Sequence, residues 1–82
     1  MKLRKLQLSE IKKWYKENLS EDFPVNEIKP LDNIEELHKA GRYDIYVYEK
    51  NGIILGYATI WKRKGLNTFL LDYLGVPSSM RN

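Results

Sequence analysis

Tyr43-Asp44-Ile45-Tyr46-Val47-Tyr48-Glu49, then Asn51-Gly52, then Ile53-Ile54-Leu55-Gly56-Tyr57-Ala58-Thr59-Ile60-Trp61, is the stretch that decides the fold. Both runs are rich in β-branched and aromatic residues, which suit a pleated surface. Asn-Gly between them is the strongest short-range hairpin signal, because a type I′ turn needs positive φ at both central residues. Working outward, Lys62-Arg63-Lys64-Gly65-Leu66-Asn67 makes a second, looser turn, and Thr68 to Val76 reads as a further strand.

Towards the N-terminus the period changes. Ile11, Trp14, Tyr15 and Leu19 stand at helical spacing and put four apolar groups on one face, with Lys12, Lys13, Lys16 and Glu17 on the other. Ser9 is the expected N-cap. Asp22-Phe23-Pro24-Val25 ends this helix, since a residue before proline is biased away from the helical region. A second helix is expected from Asp32 to Gly41, with Asp32 and Glu35 as a capping box and Gly41 as the left-handed stop. Ile34, Leu37 and Ala40 form its apolar stripe. Leu3-Arg4-Lys5-Leu6-Gln7-Leu8 alternates as a short half-buried strand. The order is β-α-α-β-β-β over a single domain, residues 1–82, of the α+β class with helices packed on an antiparallel sheet.

A chain of 82 residues forms one domain at most, and its core is small. Two Trp, six Tyr and two Phe argue against disorder. With no cysteine and one histidine, a disulfide, a thiolate nucleophile and a protein-built zinc site are not expected. The net charge of +3 attracts anions in general without choosing among them. No apolar run approaches the ~20 residues that span a bilayer. Met1-Lys2-Leu3-Arg4-Lys5 is basic but lacks the apolar core of a signal peptide, so a cytoplasmic location is expected.

Phe69-Leu70-Leu71-Asp72-Tyr73-Leu74-Gly75-Val76, followed by Pro77-Ser78-Ser79-Met80-Arg81-Asn82, resembles the fourth strand and following turn of the GNAT superfamily of N-acetyltransferases. The first strand, the helix from Ser9, the Asn51-Gly52 hairpin and Gly56-Tyr57 extend the resemblance to nearly the whole chain, as the first half of that fold. In the family the turn continues into R/Q-x-x-G-x-G/A, whose backbone N–H groups grip the pyrophosphate of acetyl-CoA. Arg81 matches its first position, and both glycines would follow Asn82. The resemblance therefore implies the N-terminal portion of an acetyltransferase that moves acetyl from acetyl-CoA to a primary amine. It also implies that this portion is incompetent by itself. Leu74, Gly75 and Val76 would line the pantetheine arm and polarise the thioester carbonyl, and Arg81 would stand at the entry of the pyrophosphate nest.

Proton transfer from the amine needs an acceptor. Asp72 is the carboxylate of the fourth strand; alternation places it on the face of Leu70, Leu74 and Val76, as a poised base or a group paired at the sheet edge. Tyr57 and Tyr73 can hydrogen-bond substrate or protonate a departing thiolate, or simply pack their rings. Glu17, Glu21 and Asp22 border the interhelical segment and suit a cationic amine. His38 reads as a helix-end cation beside Lys39. The lysine face of the first helix reads as solvated surface. The Trp61–Lys64 tip could stack on a base, but three basic residues at a turn read better as a solubilising tip, so nucleic acid is not the expected partner.

The competing reading is a small non-enzymatic binding or dimerisation module that uses the edge of the fourth strand or the Trp61–Lys64 tip. Either way the fourth strand presents an apolar edge without lysine or proline, and a homo-oligomer through that strand is expected.

Overall fold

The computed structural model describes residues 2–63, 65 and 68–76. Four strands, β1 (Lys2–Lys5), β2 (Tyr43–Lys50), β3 (Ile53–Lys62) and β4 (Phe69–Gly75), form one antiparallel sheet in the order β1-β2-β3-β4. Two helices pack on one face of it. Helix α1 runs from Leu8–Trp14 through a π-helical turn, Tyr15–Leu19, into a last turn, Ser20–Asp22. Helix α2 is Leu31–Lys39, and a 3-10 turn, Val25–Glu27, lies between the two. The β-α-α-β-β-β order and the α+β class are those read from the sequence.

The hairpin forms as its turn chemistry demands. Asn51 and Gly52 both have positive φ, 52° and 78°. The π turn explains how Leu19 joins Trp14 in the core. Five residues separate them, a spacing that a regular α-helix would splay apart, and the wider turn brings Leu19 back to the buried side. Ile11, Trp14, Leu19 and Ile34 from the helices meet Tyr43, Ile45, Val47, Tyr57 and Tyr73 from the sheet in one core. Covering roughly nine such side chains at about 1.5–3 kcal/mol each is the main favourable term available to so short a chain.

Four local expectations are corrected. Helix α1 starts one residue before Ser9, with Gln7 as its N-cap; the Gln7 N–H donates to Glu10 Oε1 at 2.9 Å. Helix α2 starts at Leu31 with Pro30 as N-cap, because the Pro30 carbonyl accepts from Asn33 and Ile34 N–H, and Asp32 only accepts from the adjacent Asn33 N–H. Ala40 is an exposed C-cap outside the apolar stripe, whereas Gly41, at φ 73°, is the left-handed stop.

The fourth correction concerns β4. Ile60 pairs with Leu71 and Ala58 with Leu74, so Asp72 and Tyr73 together oppose Thr59. This is a β-bulge, and it breaks the two-residue alternation. Asp72 therefore shares the helix-covered face with Tyr73 and Gly75, while Leu74 is turned to the opposite face with Ala58 and is 63% exposed. A second irregularity lies at Leu55, between the Tyr48–Gly56 and Glu49–Ile54 pairs.

Candidate functional site

The residues that the sequence singles out on β4 lie at and beyond the bulge. The ladder loses a regular bond there, and Thr59 supplies a substitute: its buried hydroxyl oxygen accepts from the Tyr73 N–H at 2.9 Å. Because the bulge turns both Asp72 and Tyr73 towards the helices, both are drawn into a network centred on Lys29.

Lys29 is held by three atoms. Its ammonium donates to Asp72 Oδ2 at 2.7 Å, its N–H donates to Tyr73 Oη at 2.8 Å, and its carbonyl accepts from Tyr15 Oη at 2.7 Å. Tyr43 Oη also donates to Asp72 Oδ2, at 2.9 Å. The same ammonium lies 4.6 Å from the centre of the Trp61 ring. Burial, and secondarily the Asp72 carboxylate, push the Tyr43 phenol well above its ordinary range; burial also raises that of Tyr15. Tyr73 packs its ring against Phe23. Asp72 is thus paired, with one carboxylate oxygen taken by two donors.

Beyond the bulge the arrangement differs. Gly75 is buried against the ring of Tyr57, and a Cβ at Gly75 would overlap that ring. The glycine is required by the protein's own packing, whatever else approaches the strand. Tyr57 stands edge-on to Trp14, 5.4 Å between ring centres, and its hydroxyl donates to Asp22 Oδ2 at 2.6 Å. The end of α1, the middle of β3 and the end of β4 therefore meet at one point. β4 is an outer strand of the sheet, so its far side has no strand partner among the described residues. Leu74 and Val76 are exposed there. Arg81 lies outside the described residues, as does Lys64.

The Trp61 tip is not a free stacking platform. Its ring is already approached by two cations, Lys29 at 4.6 Å and Arg63 at 5.5 Å. His38 is half-buried in the last turn of α2.

Another polar cluster lies near the hairpin turn. Arg4 bonds Glu10 through both terminal nitrogens, at 2.9 and 2.7 Å, and Glu49 through Nε at 2.6 Å. These bonds hold the Glu10 carboxyl below its ordinary range and raise the Arg4 guanidinium further. They line a groove of about 430 Å3 between α1 and the hairpin, with Trp14 and Glu17. Sequence reading missed Lys29, Thr59 and the Arg4 cluster. The Asp22–Tyr57 pair was present only as two separate candidates. No helix among the described residues is long and apolar enough to cross a membrane. Comparison with protein-family models, with curated proteins and with solved structures returned no match.

Proposed function

We propose that the chain is the N-terminal portion of an acetyl-CoA-dependent N-acetyltransferase domain, acting on a primary amine. The observation that supports this reading most is the open edge of β4 at Leu74 and Gly75, running past the Asp22–Tyr57 pair. An unpaired strand edge offers N–H and C=O groups to an extended ligand, as an added strand would use them. The amide-bearing pantetheine arm suits such an edge. The backbones of Leu74, Gly75 and Val76 would hold it, and Arg81 would serve the pyrophosphate.

Acetyl-CoA would supply an activated thioester carbonyl, and CoA would leave as thiolate once the amine nitrogen had bonded to that carbon. The chain's part is to orient that carbonyl and to take the amine's proton. Asp72 and Tyr73 are the fourth-strand candidates, but their polar atoms already hold Lys29 and Tyr43. Asp22, held by Tyr57 across from Gly75, is a further candidate acceptor in this reading. Its carboxylate would also favour a cationic acceptor.

The test is an amide NMR titration of the labelled chain with acetyl-CoA. Perturbations centred on Leu74, Gly75 and Val76 at millimolar ligand are expected, because in this reading the phosphate-binding glycines would lie outside residues 1–82. Sub-micromolar affinity, more than ~8.2 kcal/mol, would show that this portion carries the complete site. No perturbation at those three amides would reject the reading. The competing reading, a non-enzymatic binding module that uses the β4 edge or the Trp61–Lys64 tip, draws on the same open strand edge.

A further inference from the structure

The sheet has a second face that nothing among the described residues covers. An antiparallel sheet with one wet face normally alternates apolar and polar residues, and the wet face is polar. Here the register puts Tyr46, Tyr48, Ala58, Ile60, Leu71 and Leu74 together on the face opposite the helices. The β4 bulge adds to it, since it returns Leu74 to the side of Leu71. Charged groups stand at the margin: Lys5 pairs across from Tyr46, and Lys62 bonds Asp44 at 2.9 Å. An apolar centre with a polar rim is the anatomy of a protein–protein contact.

Two features of this face fit each other. One is a hollow of about 230 Å3, floored by Gly56 and Ala58 and walled by Tyr46, Tyr48 and Leu74. It exists because β3 has its smallest residues there. The other is Phe69, 64% exposed at the far end of β4, where it pairs with Lys62. Ala58 and Lys62 are four positions apart on β3, roughly 14 Å at about 3.4 Å per residue. A hollow of this size has room for a phenyl ring, since about 150 Å3 holds benzene. A projection and a hollow on the same face become mutually complementary under a two-fold rotation about an axis between them, near Ile60 and Leu71.

We infer that the outer face is the contact between two copies of this chain, with Phe69 of each seated in the Gly56–Ala58 hollow of the other. The area supports a second copy. Leu3, Tyr48, Phe69, Leu71 and Leu74 are each between 43% and 67% exposed. Covering them removes roughly 100 Å2 apiece, so about 1,000 Å2 over the two copies, the area a specific interface should clear. Pairing through the β4 edge alone would leave this face wet. This inference stands apart from the acetyl-transfer reading and survives its failure.

Sedimentation equilibrium of the chain should give a dimer with a micromolar Kd. Phe69→Glu and Ala58→Arg should each raise that Kd at least about tenfold with the circular dichroism spectrum unchanged. Isotope-filtered NMR on a mixed dimer should show the Phe69 ring close to the Ala58 and Leu74 methyls of the other copy. A monomer mass at 500 µM would overturn the inference, even if another polypeptide then occupied the face. A dimer that resists both substitutions and instead protects the β4 amides from exchange would also overturn it, in favour of edge pairing.

Discussion

On the helix-covered face of the sheet most polar groups reach partners, although the buried indole N–H groups of Trp14 and Trp61 do not. Asp72 meets Lys29 and Tyr43, Thr59 meets the Tyr73 N–H, and Tyr57 meets Asp22. On the opposite face the same strands present Leu71, Leu74 and Phe69, each about 60% exposed, apolar side chains that form no hydrogen bonds. The two faces differ because burial taxes polar groups and solvent does not. A polar atom under the helices must be paired or it costs about 1–3 kcal/mol. An apolar group on the outer face costs little in the monomer and gains only when something covers it. The inner face therefore carries the stability, and the outer face and the β4 edge are the surfaces on which binding is proposed.

If that division is right, substitutions on the inner face should damage folding out of proportion to their size. The largest effect is expected at Gly75. Replacing Gly75 with Val drives a branched side chain into the Tyr57 ring, which is fixed by Trp14 and Asp22. Overpacking of this kind costs about 1–3 kcal/mol, and more where the neighbour cannot move; ~3 kcal/mol is expected here. Urea unfolding of the variant checks it. A midpoint equal to that of the parent would mean that Tyr57 is free to swing away, and the contrast between the faces would fail at its strongest point. The matched outer-face change, Leu74→Ser, should leave the monomer's midpoint almost where it was.

How much of this contrast was legible in the sequence follows from what each feature depends on. The hairpin was legible because Asn51 and Gly52 carry their own backbone requirement. The helix face of Ile11 and Trp14 was legible because spacing alone sets it, although the π turn that admits Leu19 was not. Helix caps were misplaced by two residues, from Ser9 to Gln7 and from Asp32 to Pro30, as boundaries usually are when caps compete. The face of Asp72 could not be read at all. Counting by two assumes an unbroken ladder, and the bulge opposite Thr59 breaks it. Lys29 gave no local signal, because its partner Asp72 lies 43 positions away. Arg81, the residue assigned to the pyrophosphate, lies outside the described residues. The strand edge of the candidate site was therefore legible, and the network that occupies its carboxylate was not.

A second, smaller break of the comparison is at Lys29. Lys29→Met keeps the stem and removes the charge, leaving Asp72 half-buried with Tyr43 as its remaining described donor. Hydrogen bonds to charged groups are worth about 1.5–3 kcal/mol, and part of this pair is solvated, so ~1–2 kcal/mol is expected. Adding Asp72→Asn to Lys29→Met should recover some of the loss, since the stranded charge is then gone. A double-mutant cycle measures that recovery as a coupling between the two positions. Coupling near zero would mean that Lys29 acts through its contact with Trp61 and its backbone bonds with Tyr15 and Tyr73 rather than through Asp72.

The smallest effect is expected where the inner face opens to solvent, at Arg4 and Glu10. Glu10 is held below its ordinary value of 4.5 by the Arg4 hydrogen bonds first and the Gln7 N–H second. A carboxyl whose folded value is depressed binds fewer protons in the folded state than in the unfolded state. Its contribution is therefore present above pH 4.5 and is lost as the pH falls through the folded value. Unfolding midpoints should decline on acidification below about pH 4.5, and Glu10→Gln should flatten that acid limb while changing the neutral plateau little, because both partners are partly exposed. Salt should weaken the same limb, as it screens exposed pairs but not the Asp72 network. An acid limb of unchanged slope in Glu10→Gln would assign it to other carboxylates.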